Sequence, residues 1–121
     1  MFTKLFGMIR EHIIKRITRS SHWPTVRKHF LKSNPTCAAC GSNKHLNVHH
    51  VMPFHDDPAK ELDLNNLITL CMDEHECHLK LGHGDDFKAY NPDIRTIAES
   101  VLKDPTSRTL AEQTCKLNKK Y

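Results

Sequence analysis

The chain has 121 residues, 38% of them hydrophobic, and a formal net charge of +4. That length allows one domain with at most an appended arm, and the modest apolar share implies a small core that a metal staple would help. Lys4, Arg10, Glu11, Lys15 and Arg16 break every apolar run near the start, which excludes a membrane-spanning helix there and argues against a secretion signal.

The charge is unevenly spread. Residues 1–36 carry eight Lys/Arg and one acid, residues 37–83 three and seven, and residues 84–121 seven and six. A basic arm beside an acidic, histidine-rich centre suits a polyanionic partner such as nucleic acid. A purely solvated charged face is the plainer alternative.

In residues 2–17, Phe2, Leu5, Phe6, Ile9, Ile13, Ile14 and Ile17 recur at three- and four-residue spacings, which predicts an amphipathic helix with Lys4, Arg10, Lys15 and Arg16 among its polar positions. Ser20-Ser21 breaks that pattern. A second helix is expected from Trp23-Pro24, with proline near the first helical position, Val26, Phe30 and Leu31 facing inward, and Asn34-Pro35 as the stop. Cys37-Ala38-Ala39-Cys40-Gly41 has the spacing of a metal knuckle, and no βαβ pattern surrounds it to suggest a redox pair. Leu46-Asn47-Val48-His49 reads as a short strand with His50 at its end. Residues 51–65, with Pro53, Pro58 and four acids, form a long loop of the kind that is more often functional than not.

Leu67-Ile68-Thr69-Leu70 supplies a second strand leading into Cys71. Glu74 to Leu81 has helical composition and stops at Gly82-His83-Gly84. Asn91-Pro92-Asp93 caps a further helix through about Lys103, Asp104-Pro105 ends it, and residues 106–119 form a last helix. Cys115, on that helix, reads as a packed or exposed thiol rather than a ligand.

Four of the five cysteines and seven of the ten histidines lie between residues 37 and 83. Thiolates and imidazoles are the ligands that borderline-soft divalent metals prefer. Cys37, Cys40, Cys71 and Cys77 make a tetrahedral Cys₄ zinc site whose role is folding. The Cys71–Cys77 gap is wider than usual, so His75 is the alternative fourth ligand. An odd number of cysteines, clustered as thiol pairs near histidines, points to a reducing compartment rather than a disulfide frame. His49, His50, His78 and His83 remain. Neighbours on a strand point to opposite faces, so His49 and His50 should do different jobs. Phosphodiester cleavage needs such a division: one imidazole on a metal, another free to take a proton from water. His55 reads as an exposed loop histidine.

Taken together, Cys-x-x-Cys, Val48-His49-His50, Asn66-Leu67-Ile68-Thr69-Leu70-Cys71 and Cys77-His78 with a following His83 resemble the HNH endonucleases of the ββα-metal class. Trp23-Pro24, His49-His50-Val51-Met52-Pro53-Phe54-His55 and Gly82-His83-Gly84 resemble a bacterial and phage branch of that family. The likeness covers residues 22–92. It implies an α+β fold in which two antiparallel strands and a helix grip one catalytic ion, beside a Cys₄ zinc knuckle and flanked by N- and C-terminal helices. It matches His49 to the first ligand of the catalytic ion, His50 to the general base, and Asn66 to the residue that braces the histidine-bearing loop. His78 matches the helical ligand, and His83 a further ligand. The implied cofactors are a structural Zn²⁺ and one catalytic divalent ion, Mg²⁺, Mn²⁺, Ni²⁺ or Zn²⁺. The implied substrate is DNA, nicked or cut through, leaving 5′-phosphate and 3′-hydroxyl ends.

His78 and His83 are five apart, about 140° around an ideal α-helix, so both can bind one ion only if the helix unwinds near Gly82. The expected organisation is a basic helical arm at 1–21, a nuclease core at 22–92 and a helical extension at 93–121. The setting is cytoplasmic, without a membrane, and a phage packaging or other mobile-element partner is a further expectation. The competing reading is a non-catalytic zinc-ribbon module that binds DNA or protein.

Overall fold

Two five-residue strands set the frame. Strand β1 (Leu46–His50) pairs antiparallel with β2 (Leu67–Cys71), in register from Leu46 opposite Cys71 to His50 opposite Leu67. The computed structural model describes residues 19–121, and the helix predicted over 2–17 lies outside the described residues. A lone two-stranded ribbon is marginal in water, so the surrounding elements must bury it. All five residues of β2 are buried, which explains its unbroken apolar run.

Helix α1 (Trp23–Ser33) starts with Pro24 in its first turn, where no amide partner is lost, and packs near β1. It ends where Asn34 bonds back, through both its backbone amide and its side chain, to the carbonyl of Phe30. The cysteine knuckle follows and covers the outer edge of β2: the Ala38 amide donates to the Thr69 carbonyl at 2.9 Å. Arg95 closes the rest of that edge by donating to the carbonyls of Asn65 (2.8 Å) and Leu67 (3.0 Å). Unpaired strand edges invite foreign pairing, and this one is occupied.

The chain between the strands is more ordered than a long irregular loop. It contains two 3₁₀ turns, Pro58–Lys60 and Leu64–Asn66. Its ends meet because His50 and Leu67 are paired, and the Val51 amide bonds the Asn66 carbonyl at 2.9 Å.

The helix expected over 74–81 is largely absent. Residues 72–75 bend, Glu76 takes a left-handed backbone at φ +51, and a π-helical turn occupies His78–Gly82. Cys71 and Cys77 are both drawn to the same sulfur cluster, so the chain between them has to curl back rather than wind. Tertiary demand overrides helical composition here.

Helix α2 (Ile94–Lys103) buries Ile94, Ala98 and Val101 at spacings of four and three. The Asp104 carboxylate then accepts from the Thr106 amide and shapes a 3₁₀ turn at Pro105–Ser107, so the last helix, α3, runs over Arg108–Asn118. The core joins the buried cysteines with Ile68, Leu70, Leu81 and the inner face of α2. Asn91 ties the C-terminal part to the π-turn. Its amide donates to the Gly82 carbonyl, and its buried side chain donates to the Leu81 carbonyl (2.9 Å) and to the Cys115 sulfur (3.2 Å). Cys115 is thus a packed thiol in the core.

Candidate functional site

The sulfur cluster is built from three places in the chain. The knuckle supplies Cys37 and Cys40, the end of β2 supplies Cys71, and the residue before the π-turn supplies Cys77. All four sulfurs lie within 4.8 Å of one another, with Cys40 and Cys71 at 3.6 Å. A tetrahedral zinc with bonds of about 2.3 Å needs sulfurs about 3.8 Å apart. Gly41, at φ +78, supplies the left-handed residue that turns the chain away from the knuckle. Without a cation the four thiols cannot ionise together. A hydrogen bond from Cys77 lowers the Cys37 thiol to about 4, burial raises Cys40 to about 11, and Cys77 rises through its bond to Cys37 and its burial. A divalent ion removes that conflict, and the cluster fits a structural zinc. His75 is exposed outside this group; its carbonyl, not its ring, makes the local contact, accepting from Arg108.

The second cluster joins His49 of β1 to His78 and His83 at the two ends of the π-turn. In a π-turn the amide bonds span five residues instead of four, which brings side chains five apart onto one face. The helix therefore widens rather than unwinds, and the Nε2 atoms of His78 and His83 come to 3.1 Å. Gly82 permits the close approach: a Cβ there would stand 3.1 Å from Leu70 and 3.2 Å from the His49 ring.

Hydrogen bonds orient two of the three rings. His83 Nδ1 donates to the Ala89 carbonyl at 2.7 Å, and His78 Nδ1 faces the Met72 sulfur at 3.0 Å, assignments that follow from the acceptors. Each leaves its Nε2 as a lone pair aimed at the other. The Nε2 of His49 is buried and has no hydrogen-bond partner among the described residues. Burial lowers the pKa of all three, His78 to about 4 and His49 well below the usual histidine range, so the rings are neutral at pH 7. Three convergent lone pairs repel one another unless a cation sits between them. Nitrogens bound tetrahedrally at about 2.0–2.1 Å would lie about 3.4 Å apart. The donor set fits a divalent metal.

His50, next along β1, faces elsewhere. Its Nε2 donates to the Glu61 carbonyl at 2.9 Å, and its ring packs on Trp23 with centroids 4.4 Å apart. That bond places the proton on Nε2 and the lone pair on Nδ1. Burial lowers its pKa, so this imidazole is also neutral at pH 7. Asn66 clamps the intervening loop from within. Its side-chain oxygen accepts from the Met52 amide (2.8 Å), and its Nδ2 donates to the carbonyls of Met52 (3.0 Å) and Lys60 (3.2 Å). The buried Glu61 carboxylate accepts from the Ser20 amide and from Arg19, which fixes the entry of the described chain beside His50.

Residues 37–84 match the HNH endonuclease family. No curated protein and no solved structure matches the chain. The HNH match runs from the first cysteine of the knuckle to the glycine after His83, so it contains both clusters and leaves α1, α2 and α3 outside. The family is one of nucleases that act on DNA.

The HNH segment opens onto a cleft of about 370 Å³ whose floor carries His49, His50, His78 and His83. Arg19 and Arg27 line one side. The Arg19 guanidinium lies over the Phe54 ring at 4.5 Å, and Phe87 stands against His83 at 5.0 Å. The structure brings Cys37, Cys40, Cys71 and Cys77 into one group and His49, His78 and His83 into another. His50 and Asn66 flank the second group, and His55 lies exposed at the cleft rim. Sequence patterns do not single out Glu61, Met72, Phe87 or Arg108. Their contacts to ring nitrogens, rings and sulfur depend on the path of the chain and follow no local spacing. Among the described residues, no helix is long and apolar enough to cross a membrane.

Proposed function

We propose that this protein is a metal-dependent endonuclease that hydrolyses DNA phosphodiester bonds, with residues 22–92 as the nuclease unit and 93–121 as its helical support. The single observation that carries this reading is the buried Nε2 of His49, without a partner among the described residues, facing two further histidine lone pairs at the floor of an open, arginine-lined cleft. His49, His78 and His83 hold the catalytic ion, Mg²⁺, Mn²⁺, Ni²⁺ or Zn²⁺. Three protein ligands leave room for a non-protein oxygen, as catalytic sites require. When bound, the ion polarises the phosphate and stabilises the departing 3′ oxygen.

The remaining work falls to groups of the chain. His50 takes the proton of the attacking water on Nδ1, while the Glu61 carbonyl, already bonded to Nε2, steadies the imidazolium that forms. Packing on Trp23 and the clamp of Asn66 fix the direction of that ring. Arg19 and Arg27 meet phosphates along the cleft. The products carry 5′-phosphate and 3′-hydroxyl ends. Cys37, Cys40, Cys71 and Cys77 hold a zinc that serves folding, and thiolates serve a metal only while reduced, which suits a cytoplasmic setting. The phage or mobile-element setting belongs to the family resemblance alone.

A zinc-ribbon binding module would use the sulfur cluster and leave the histidine cluster without a role. Nicking of supercoiled plasmid by purified protein, with each divalent ion and with EDTA, separates the two. Cleavage that requires the added ion supports the nuclease. DNA binding with no cleavage under any ion supports the module.

A further inference from the structure

The two halves of the sulfur cluster are built differently. Cys37 and Cys40 are separated by two residues with the left-handed Gly41 behind them, and the Gly41 amide closes the turn on the Cys37 carbonyl at 2.9 Å. Cys71 and Cys77 are separated by five residues that bend and pass through a left-handed Glu76, so this half has no knuckle. Cys77 is nonetheless wholly buried. The donor that reaches it is a side chain 31 positions further on: Nη1 of Arg108 donates to the Cys77 sulfur at 3.1 Å. The second guanidinium nitrogen donates to the His75 carbonyl, within the same bend.

A zinc bound by four thiolates leaves a net charge of −2 in a buried place. Bringing a cation and N–H donors to the sulfurs relieves that charge, and outer partners of this kind are worth about 10–100-fold in metal affinity. The guanidinium suits the position because it stays charged and offers forked donors, one for sulfur and one for the carbonyl. It is held from behind by a ring of charges: Arg108 with Glu112 (3.8 Å), Glu112 with Lys80 (3.8 Å) and Lys80 with Glu76 (3.6 Å).

We propose that Arg108 is a positioning residue of the sulfur site, supplying from α3 a charged donor to the open Cys71–Cys77 half, so that the metal site extends beyond the segment matched to the family. The proposal rests on the reading of the four cysteines as a zinc site. It also makes the first turn of α3 part of that site and not merely a support.

The test uses the full chain loaded with zinc, and a chromophoric chelator reads the rate of zinc release. One equivalent of cysteine-bound zinc in the wild type is the starting condition; its absence overturns the zinc reading itself. Arg108→Met keeps the length of the side chain and removes the donors. Release about 10–100-fold faster, with helix content unchanged, supports the proposal. Release at the wild-type rate overturns it. Glu112→Gln loosens the ring of charges but spares the N–H···S bond. If it speeds release as much as Arg108→Met, the arginine only fixes the helix and the proposal fails. With cobalt in place of zinc, Arg108→Met should move the sulfur-to-cobalt charge-transfer band to lower energy, because a thiolate without its hydrogen bond is the better electron donor. An unmoved band overturns the proposal. Should Arg108→Met fail to fold, Arg108→Lys decides by the same two readings. An intermediate release rate with a displaced band supports the donor role, and wild-type behaviour in both overturns it.

Discussion

The sulfur cluster and the histidine cluster sit on the same short sheet, yet they are opposite kinds of site. Four soft ligands close the first, and three of its cysteines are fully buried. Three imidazoles leave the second incomplete, and it opens on a cleft. A closed tetrahedral set has no vacancy for a substrate, whereas a three-ligand set at a cleft does. The difference arises from the chain. The sulfurs come from segments that curl inward around the core, while the π-turn brings His78 and His83 to the cleft floor beside His49 of β1.

The largest effect should come from breaking the closed site. Cys37→Ser should lower zinc content by one equivalent and unfold the middle of the chain, because a structural zinc typically contributes about 10–16 kcal/mol of apparent folding energy. Elemental analysis with circular dichroism checks this. Folded, active protein that never held zinc would remove the structural role from the comparison.

At the open site, rate and ion binding should separate between the two neighbouring histidines of β1. His50→Ala should leave metal and DNA affinity nearly intact and slow cleavage by about 10²–10⁴. His49→Ala should instead weaken ion binding at the histidine cluster, with activity partly recovered at high metal concentration. Calorimetric titration of the ion beside the cleavage rate tells the two apart. Wild-type cleavage by His50→Ala would remove the base from the mechanism.

A smaller change sharpens the contrast. Gly82→Ala puts a methyl group 3.1–3.3 Å from Leu70 and His49, so those neighbours must shift by a few tenths of an ångström. Overpacking of this kind costs about 1–3 kcal/mol. Ion affinity at the histidine cluster should fall while zinc stays in the sulfur cluster. Loss of both metals together would mean that the two sites form one cooperative unit.

The smallest effect belongs to the surface. His45 bonds Glu74 across the bend at 2.7 Å, and the pair is exposed. The bond with Glu74 raises the His45 pKa above its ordinary 6.5 and lowers that of Glu74 below 4.5. The histidine contribution is complete below pH 6.5 and disappears as pH rises through its folded value. The carboxylate contribution is complete above pH 4.5 and disappears as pH falls through its own. The difference in melting temperature between wild type and His45→Gln should therefore be greatest between pH 4.5 and 6.5 and shrink on either side. A difference that stays constant from well below pH 4.5 to well above pH 6.5 would show that the bend is held by other contacts.

The sequence by itself determined the elements whose signals are local. Trp23-Pro24 opened a helix and Asn34-Pro35 closed it, because proline and asparagine act on their own turns. Leu46 to His50 and Leu67 to Cys71 announced strands through their apolar patterns, the crowding of cysteines and histidines pointed to metal ligands, and the family resemblance grouped His49 with His78 and His83. Helical composition over 74–81 misled, because it counts propensity and not the pull of Cys71 and Cys77 toward one centre. Only the tertiary structure decided how His78 and His83 share a face. Widening to a π-turn depends on Gly82 lying against His49, a contact between residues 33 positions apart. The partners of the rings and sulfurs were decided the same way: the Glu61 carbonyl for His50, the Ala89 carbonyl for His83 and the Arg108 guanidinium for Cys77. Each comes from a distant segment or a turn of irregular backbone, where hydrogen bonding follows from position in space and leaves no periodic trace in the sequence.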